Sequence, residues 1–206
     1  MADRRYFRDS VLPLFTSDTH FYHRNIRKFC PETRQGDSAG EMTEILIKNW
    51  NEQVGPDDEV YHLGDVSFGP SAETKEVLDR LNGRIHLVMG NHDKEIQMRQ
   101  FKRFESISRY LEIKINDVYY ILFHYPIFEW NHIHRGSCHL FGHVHGRSLA
   151  LPAGRHLDVG IDNRPNGDMR LWTTPEIQAY MDNQPIRDHH ERTEETNSTT
   201  ETPTDN

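Results

Sequence analysis

The stretch FTSDTHFYH, from Phe15 to His23, joins an apolar strand to a run of polar side chains. The residues VLPLF, which lead into it, have the apolar character of a strand buried in a core. Asp18 and His20 then follow at alternate positions, where a fully buried strand would carry further apolar residues. Because burying an unpaired charge is costly, either a partner neutralises Asp18 or the strand ends at a functional surface.

The same change from apolar to polar residues recurs in four other stretches, VYHLGD, HLVMGNHD, YYILFH and LFGHVHG. Ligands of open α/β sheets bind at the carboxyl ends of the strands, so we expect these five strand ends to meet at one place. The polar residues that the four stretches deliver are Asp65, Asn91, His92, Asp93, His124, His143 and His145.

Each of these signals has an ordinary explanation when it is taken alone. A Gly-Asp pair after a strand is typical of a turn, and a single histidine such as His124 is often a hydrogen-bonded core residue. His62, His86 and His139 lie inside apolar strand patterns, and we interpret them as core or edge residues. The joint occurrence of the five polar strand ends is what favours a shared site.

The segments between these stretches predict an α/β fold with two sheets of mixed strands under helices. Strand and helix patterns alternate through residues 1–90, which predicts parallel strands with right-handed crossovers. Individual predictions are a strand over Ser10–Ser17, an amphipathic helix over Glu41–Val54 and an antiparallel hairpin around Asn116-Asp117. We also predict a last helix that runs to Met181, with Thr174 as its N-cap.

The composition predicts one domain over residues 1–186, followed by a disordered polar tail over residues 187–206. His189 and His190 lie in that tail and are interpreted as solvated residues. A net charge of −8 argues against an extended nucleic-acid footprint. No apolar run reaches the length of a membrane span, and MADRRYFRDS lacks the apolar core of a secretory signal. We therefore expect a cytoplasmic protein, in which Cys30 and Cys138 are reduced structural thiols.

The order D-x-H, G-D, G-N-H-D, a lone His and G-H-x-H resembles the calcineurin-like metallophosphoesterase superfamily. The resemblance covers roughly Phe15 to Gly160, and the run FTSDTHFYHRNI resembles a compact group of bacterial and phage predicted phosphoesterases. It implies a four-layer fold, a β-sandwich flanked by helices, and a hydrolytic centre with two metal ions. A metal-bridging hydroxide would attack phosphorus there.

Carried over residue by residue, the resemblance gives one ion the ligands Asp18, His20, Asp65 and His145. Asp65 would bridge to a second ion, whose other ligands would be Asn91, His124 and His143. His92 would protonate the leaving oxygen, with Asp93 orienting its ring. Mixed imidazole, carboxylate and amide ligands suit manganese, iron, nickel or zinc better than magnesium or calcium, and the resemblance favours manganese.

Contacts with the substrate are harder to predict from the sequence. Arg24 and Asn25 follow the first ligand pair and are candidates for binding a phosphate oxygen, as is Arg147 beyond the last pair. A solvated loop is the alternative, and Trp130 either walls the pocket or packs in the core. The short segments between motifs favour a small or nucleotide-like phosphodiester, with a monoester also open. The alternative functions are a non-catalytic scaffold on the same fold and a protein phosphatase.

Overall fold

The computed structural model describes residues 5–7, 12–147 and 149–187. Within these ranges the chain forms ten strands and five α-helices. The strands are β1 Arg5–Phe7, β2 Leu14–Thr16, β3 Glu59–His62, β4 Arg84–Val88, β5 Phe104–Ser108, β6 Tyr110–Ile115, β7 Val118–Phe123, β8 Cys138–Phe141, β9 His156–Asp158 and β10 Trp172–Thr173. The helices are α1 Ile26–Phe29, α2 Ala39–Gln53, α3 Ser71–Arg80, α4 Glu95–Gln100 and α5 Thr174–Asp182.

The strands form two five-stranded mixed sheets, in the orders β10-β2-β3-β4-β5 and β1-β6-β7-β8-β9. In the first sheet β2, β3, β4 and β5 are parallel, and β10 pairs antiparallel with β2 at its edge. In the second sheet β7, β8 and β9 are parallel, and β6 and β7 form an antiparallel hairpin. The predicted fold class, two mixed sheets flanked by helices, is confirmed.

Successive side chains of β2 point into two different cores, as the alternation along a strand requires. Leu14 belongs to the core between the first sheet and the helices, together with Trp50 of α2 and Val77 of α3. Phe15 belongs to the core between the two sheets, where it packs on Tyr61 and Tyr120. The two sheets therefore lie face to face, and the helices cover the outer face of the first sheet.

Several predicted elements are confirmed with shifted boundaries. The helix expected over Glu41–Val54 is α2, which begins two residues earlier at Ala39, with Ser38 as its N-cap accepting from the Glu41 N–H. The hairpin turn lies at Asn116-Asp117, where both residues have positive φ, as a type I′ turn demands. The strand predicted over Ser10–Ser17 is shorter, Leu14–Thr16, and residues 8–11 lie outside the described residues.

The predicted cap of the last helix is wrong by one residue. Thr173, and not Thr174, is the N-cap of α5, and it forms a capping box with Glu176. The Thr174 side chain is buried, and its hydroxyl donates to the Pro13 carbonyl. That interaction joins α5 to the segment before β2, so Thr174 is not available to cap the helix.

The predicted tail lies almost entirely outside the described residues, which end at Arg187. The Arg187 guanidinium contacts Glu129 at 2.7 Å and the Phe128 carbonyl at 3.1 Å, so this first residue of the predicted tail packs on the domain. Among the described helices, none is long and apolar enough to cross a membrane. The cytoplasmic location stays a prediction.

Candidate metal centre

The predicted ligands follow five parallel strands whose carboxyl ends point to the same edge of the two sheets. Asp18 follows β2, Asp65 follows β3 and Asn91 follows β4 in the first sheet. The second sheet contributes His124 after β7, and His143 with His145 after β8. An isolated bridge between Ser17 and Gly160 joins the two sheets there. The topology thus brings the strand ends together.

Most of these residues have a left-handed backbone, which is uncommon away from glycine. The residues with this conformation are Asp18 (φ 54°), His20 (φ 48°), Asp65 (φ 58°), His143 (φ 72°) and His145 (φ 53°). Left-handed residues cost free energy and persist only where the surroundings hold them, commonly at functional sites. The local chain therefore turns sharply at each ligand, which aims its side chain away from the strand direction.

The glycines of the motifs are required because neighbouring loops approach them closely. A Cβ on Gly90 would lie closer than 3.0 Å to the Asp65 carboxylate and its backbone nitrogen. A Cβ on Gly142 would likewise meet Ser17 and the Asp18 carboxylate within 3.0 Å. The G-N-H-D and G-H-x-H glycines thus leave room for the carboxylates of the other motifs.

Two groups, each of three predicted ligands, have ligand atoms within 4.8 Å of one another. The first group is Asp18, His20 and His145, and the second is Asp65, His124 and His143. Asn91 belongs beside the second group, since its Oδ1 lies 3.0 Å from His124 Nε2. The structure therefore brings all seven predicted ligands to one edge of the sheets, in two neighbouring groups.

Asp65 lies between the two groups. Its Oδ2 is 3.9 Å from His20 Nε2 in the first group and 3.6 Å from His124 Nε2 in the second. Its other oxygen accepts the His92 backbone N–H at 2.9 Å, which fixes the rotation of the carboxylate. One carboxylate oxygen is thus available to both groups.

The first group contains buried polar atoms that make no hydrogen bond within the described part of the chain. Asp18 Oδ1 and both nitrogens of His20 are buried, and none of them makes a hydrogen bond to another described residue. An unpartnered buried polar atom costs about 1–3 kcal/mol, so it needs an explanation. Lone pairs of a carboxylate and an imidazole that face one point suit a divalent transition ion. The residues present therefore fit a metal site.

The charge of Asp18 is stabilised by its surroundings. Burial alone would raise the pKa of its carboxyl, but the neighbouring His20, His124 and His145 outweigh that effect and lower the pKa to about 2. Its Oδ2 accepts the His143 backbone N–H at 2.8 Å, which ties the β2 loop to the β8 loop. Asp18 is thus an anion at neutral pH, as a ligand must be.

A buried ion pair that the sequence did not reveal supports His145. The imidazole Nδ1 of His145 lies 2.7 Å from Asp162, and Asp162 accepts two hydrogen bonds from Arg34 at 2.7 and 2.8 Å. Arg34 also donates to the Asp18 and Thr19 carbonyls. An outer carboxylate on a metal-binding histidine fixes the orientation of its ring. Arg34 and Asp162 therefore hold ligands from two motifs in place.

Asp162 changes the proton affinity of His145. Burial lowers the pKa of the imidazole, but the hydrogen bonds that the imidazole makes to Asp162 and Cys30 outweigh burial and raise the pKa to about 10. The Cys30 thiol also lies within 4.8 Å of His145 and Asp162, although the sequence indicated only a structural thiol. Neither Arg34 nor Asp162 ends a strand or belongs to a spaced motif, so no sequence signal marked them.

His92 lies beside the bridging position of Asp65, whereas Asp93 makes its described contacts elsewhere. The His92 ring is half exposed and its Nε2 lies 3.9 Å from Asp65 Oδ2. The prediction that Asp93 orients the His92 ring is wrong, because both Asp93 oxygens accept backbone N–H groups, at 2.9–3.0 Å, from Asp65, Val66 and Gly90. Asp93 therefore holds the β3 and β4 loops together, and the described contacts include none with the His92 imidazole.

The predicted substrate residues separate into two places. Arg24 and Asn25 are exposed and line a cleft of about 820 Å³, which also includes His23 and Phe68 next to His20. Arg147 is also exposed, but it is not among the residues that line this cleft. Trp130 is buried and donates to Ser137, so it packs in a small core with Ile121 and does not wall the cleft.

Comparisons with known proteins agree with this architecture. The model of the family described as calcineurin-like phosphoesterase matches residues 13–178. The chain is 48% identical over 80 residues to the uncharacterized protein MJ1445 of Methanocaldococcus jannaschii, and this match covers 38% of the chain but only 44% of the archaeal protein. It is 27% identical over 181 residues to the gene 66 protein of Mycobacterium phage L5, a match that covers 72% of the chain and 85% of the phage protein.

A solved structure shows the same fold. The protein of unknown function AQ665 from Aquifex aeolicus superimposes with a TM-score of 0.65 at 26% identity, and the match covers 83% of this chain and 100% of that one. The family match extends from the segment before β2 into α5, and so includes both sheets and every predicted ligand. The chain therefore belongs to the calcineurin-like phosphoesterase family, whose members are metal-dependent phosphoesterases.

Proposed function

We propose that the protein hydrolyses phosphodiester bonds of small, nucleotide-like substrates at a centre that holds two divalent transition ions. The observation that carries this proposal is the position of Asp65, whose Oδ2 faces His20 of one ligand group and His124 of the other. Two-metal hydrolytic sites need such a shared carboxylate, since their ions lie about 3.5–4 Å apart.

Each side chain has a role in this proposal. Asp18, His20, Asp65 and His145 would hold one ion, and Asp65, Asn91, His124 and His143 would hold the other. When bound, the ions would lower the pKa of a water molecule and neutralise charge at phosphorus. The ligands offer imidazole, carboxylate and amide groups, which suits manganese, with iron, nickel and zinc as the other candidates.

His92 is the residue proposed to donate a proton to the leaving oxygen. Its backbone N–H bonds to Asp65, and its ring is exposed at the mouth of the site, where a substrate can reach it. A positioned general acid contributes about 10²–10⁴-fold to a rate. We expect His92→Asn to hydrolyse a diester with an alkyl leaving group more slowly than the parent by this factor. The loss should be smaller on bis-para-nitrophenyl phosphate, because para-nitrophenolate leaves without protonation.

A diester is favoured over a monoester because a cleft of about 820 Å³ adjoins the site through Phe68, whose ring lies 4.6 Å from that of His92. A second ester group has room there, whereas a monoester would leave the cleft unused. The test is turnover of bis-para-nitrophenyl phosphate and para-nitrophenyl phosphate with manganese, followed by EDTA and by re-addition of the metal. We expect metal-dependent turnover with higher kcat/KM for the diester. No turnover with manganese, iron, nickel or zinc would contradict the proposal and favour a scaffold.

A further inference from the structure

The cleft beside the candidate metal centre has two walls of different chemistry. One wall is the loop after His20, including Tyr22, His23 and Arg24. The other is the segment that begins at Phe68 and leads into α3. At about 820 Å³ the cleft is larger than a phosphoryl group requires, and it falls within the usual range of small-molecule sites. It therefore has room for the rest of a substrate.

Phe68 connects the cleft to the proposed proton donor. Its ring centroid lies 4.6 Å from that of His92 and 5.0 Å from that of His20, on the side of the metal centre. It also lies 4.0 Å from the ring of His23, which lines the cleft. Phe68 is nevertheless 41% exposed, so part of its ring is uncovered. An exposed aromatic ring between a proton donor and a cleft is a surface on which a planar ring can stack.

Cationic groups lie farther along the same cleft. Arg24 is exposed, and its guanidinium makes no hydrogen bond or ion pair with another described residue. Arg27 donates from one nitrogen to the Asp37 carbonyl, while its Nε is buried without a described partner. The first residues of α2, Ala39 and Gly40, also line the cleft, and the positive end of a long helix favours an anion. Glu73 is the acidic group on the opposite rim.

We propose that this cleft binds the leaving group of the substrate, and that this group combines an aromatic ring with an anionic group, as a nucleoside monophosphate does. The inference rests on the proposed function. If His92 protonates the leaving oxygen, the leaving half of the diester is the half that faces the cleft. The aromatic ring stacks on Phe68 next to His92, and Arg24 binds the anionic group by a forked contact. The substrate class is therefore a dinucleotide-like diester.

Binding of AMP to the protein in EDTA tests this proposal without the metal ions or any turnover. We expect calorimetry to detect one AMP per chain, bound at least tenfold more tightly than adenosine or inorganic phosphate. Phe68→Ala should weaken AMP binding about tenfold, because stacking of a base contributes about 1–3 kcal/mol. Arg24→Gln should weaken AMP binding by a similar factor, but should leave adenosine binding unchanged.

Two matched variants control for general effects. Phe128 is a similarly exposed phenylalanine outside the cleft, and Arg170 is a surface arginine that pairs with Glu52, so Phe128→Ala and Arg170→Gln should bind AMP like the parent. Absence of AMP binding to the parent protein, or binding by Phe68→Ala and Arg24→Gln as tight as that of the parent, would overturn the proposal. AMP binding as expected in a protein that hydrolyses no diester would instead overturn the proposed function, so the two failures are distinguishable.

Discussion

His20 and His139 are equally buried imidazoles, with exposed fractions of 3% and 0%, but their nitrogens have different surroundings. His139 lies in β8, where its Nδ1 bonds the Ile121 carbonyl and its Nε2 accepts the Ile127 N–H. His20 lies in the loop after β2, and neither of its nitrogens makes a hydrogen bond to another described residue. Burial therefore does not separate a structural histidine from a ligand, whereas the hydrogen-bond partners do.

The other strand histidines follow the pattern of His139. His62 bonds Thr19 and the Gly64 N–H, and His86 contacts Ser106 and Glu59. The prediction that His62, His86 and His139 are core or edge residues is confirmed, since all three are buried and hydrogen-bonded. At the sheet edge, Asp18 and His20 combine buried atoms that lack a described hydrogen bond with a left-handed backbone. That combination is typical of a functional site.

The largest expected effect comes from Asp65, which both ligand groups share. Asp65→Asn keeps the shape but removes the negative charge between His20 and His124. We expect diester hydrolysis to fall on the order of 10³-fold or more, comparable with the loss of a group that stabilises the transition state. Steady-state rates with saturating manganese measure this effect. A variant with a parental rate would show that the two ligand groups do not act together.

Arg34 tests whether the buried ion pair supports the ligands. Arg34→Met removes the cation that donates two hydrogen bonds to the buried Asp162 carboxylate, which should cost about 3–5 kcal/mol of unfolding free energy. Loss of the support for His145 should also weaken manganese binding about 10–100-fold.

The matched control is Arg80, which pairs with Glu44 on the surface. Arg80→Met should change stability by less than about 1 kcal/mol and leave manganese affinity unchanged. Denaturant titration and calorimetry measure both quantities. Equal effects of the two variants would contradict the role given to Arg34.

A pair of histidine variants tests the opening comparison directly. His139→Leu leaves the Ile121 carbonyl and the Ile127 N–H without partners, so it should cost about 1–3 kcal/mol of stability in EDTA. It should keep the stabilisation by manganese, which is about 2.7 kcal/mol at a hundredfold excess over Kd. His20→Ala should lose only part of the stabilisation by manganese, because it removes a ligand of one ion and leaves the other group intact. The reverse pattern in thermal melts would show that the two histidines have been assigned the wrong roles.

The last effect concerns the pH dependence of stability. Burial disfavours the imidazolium and lowers the pKa of His139 to about 4, whereas an unfolded histidine titrates near 6.5. Between these values the unfolded chain binds the extra proton, so this group's contribution to stability falls as the pH falls from about 6.5 to about 4. The slope is about 1.4 kcal/mol per pH unit. Denaturant titrations in EDTA at several pH values should show that the unfolding free energy of His139→Leu changes less steeply with pH than that of the parent. An unchanged pH dependence would exclude this linkage.

The sequence predicted the parts of the fold and site that depend on regular patterns. The strands, the hairpin at Asn116-Asp117 and the gathering of the polar strand ends all follow from periodicity and from where parallel strands end. The sequence did not reveal Arg34 or Asp162, because a buried ion pair between distant loops has no local pattern. The role predicted for Asp93 was also wrong. Asp93 accepts hydrogen bonds from three backbone N–H groups, and these bonds depend on how two loops pack.

Metal content tests the central claim most directly. Equilibrium dialysis against manganese, followed by elemental analysis, counts the ions that each chain retains. We expect two ions per chain for the parent protein, about one for His20→Ala, and none for the double variant His20→Ala with His124→Ala. Two retained ions in the double variant, or none in the parent, would contradict the assignment of these strand ends as a two-metal centre.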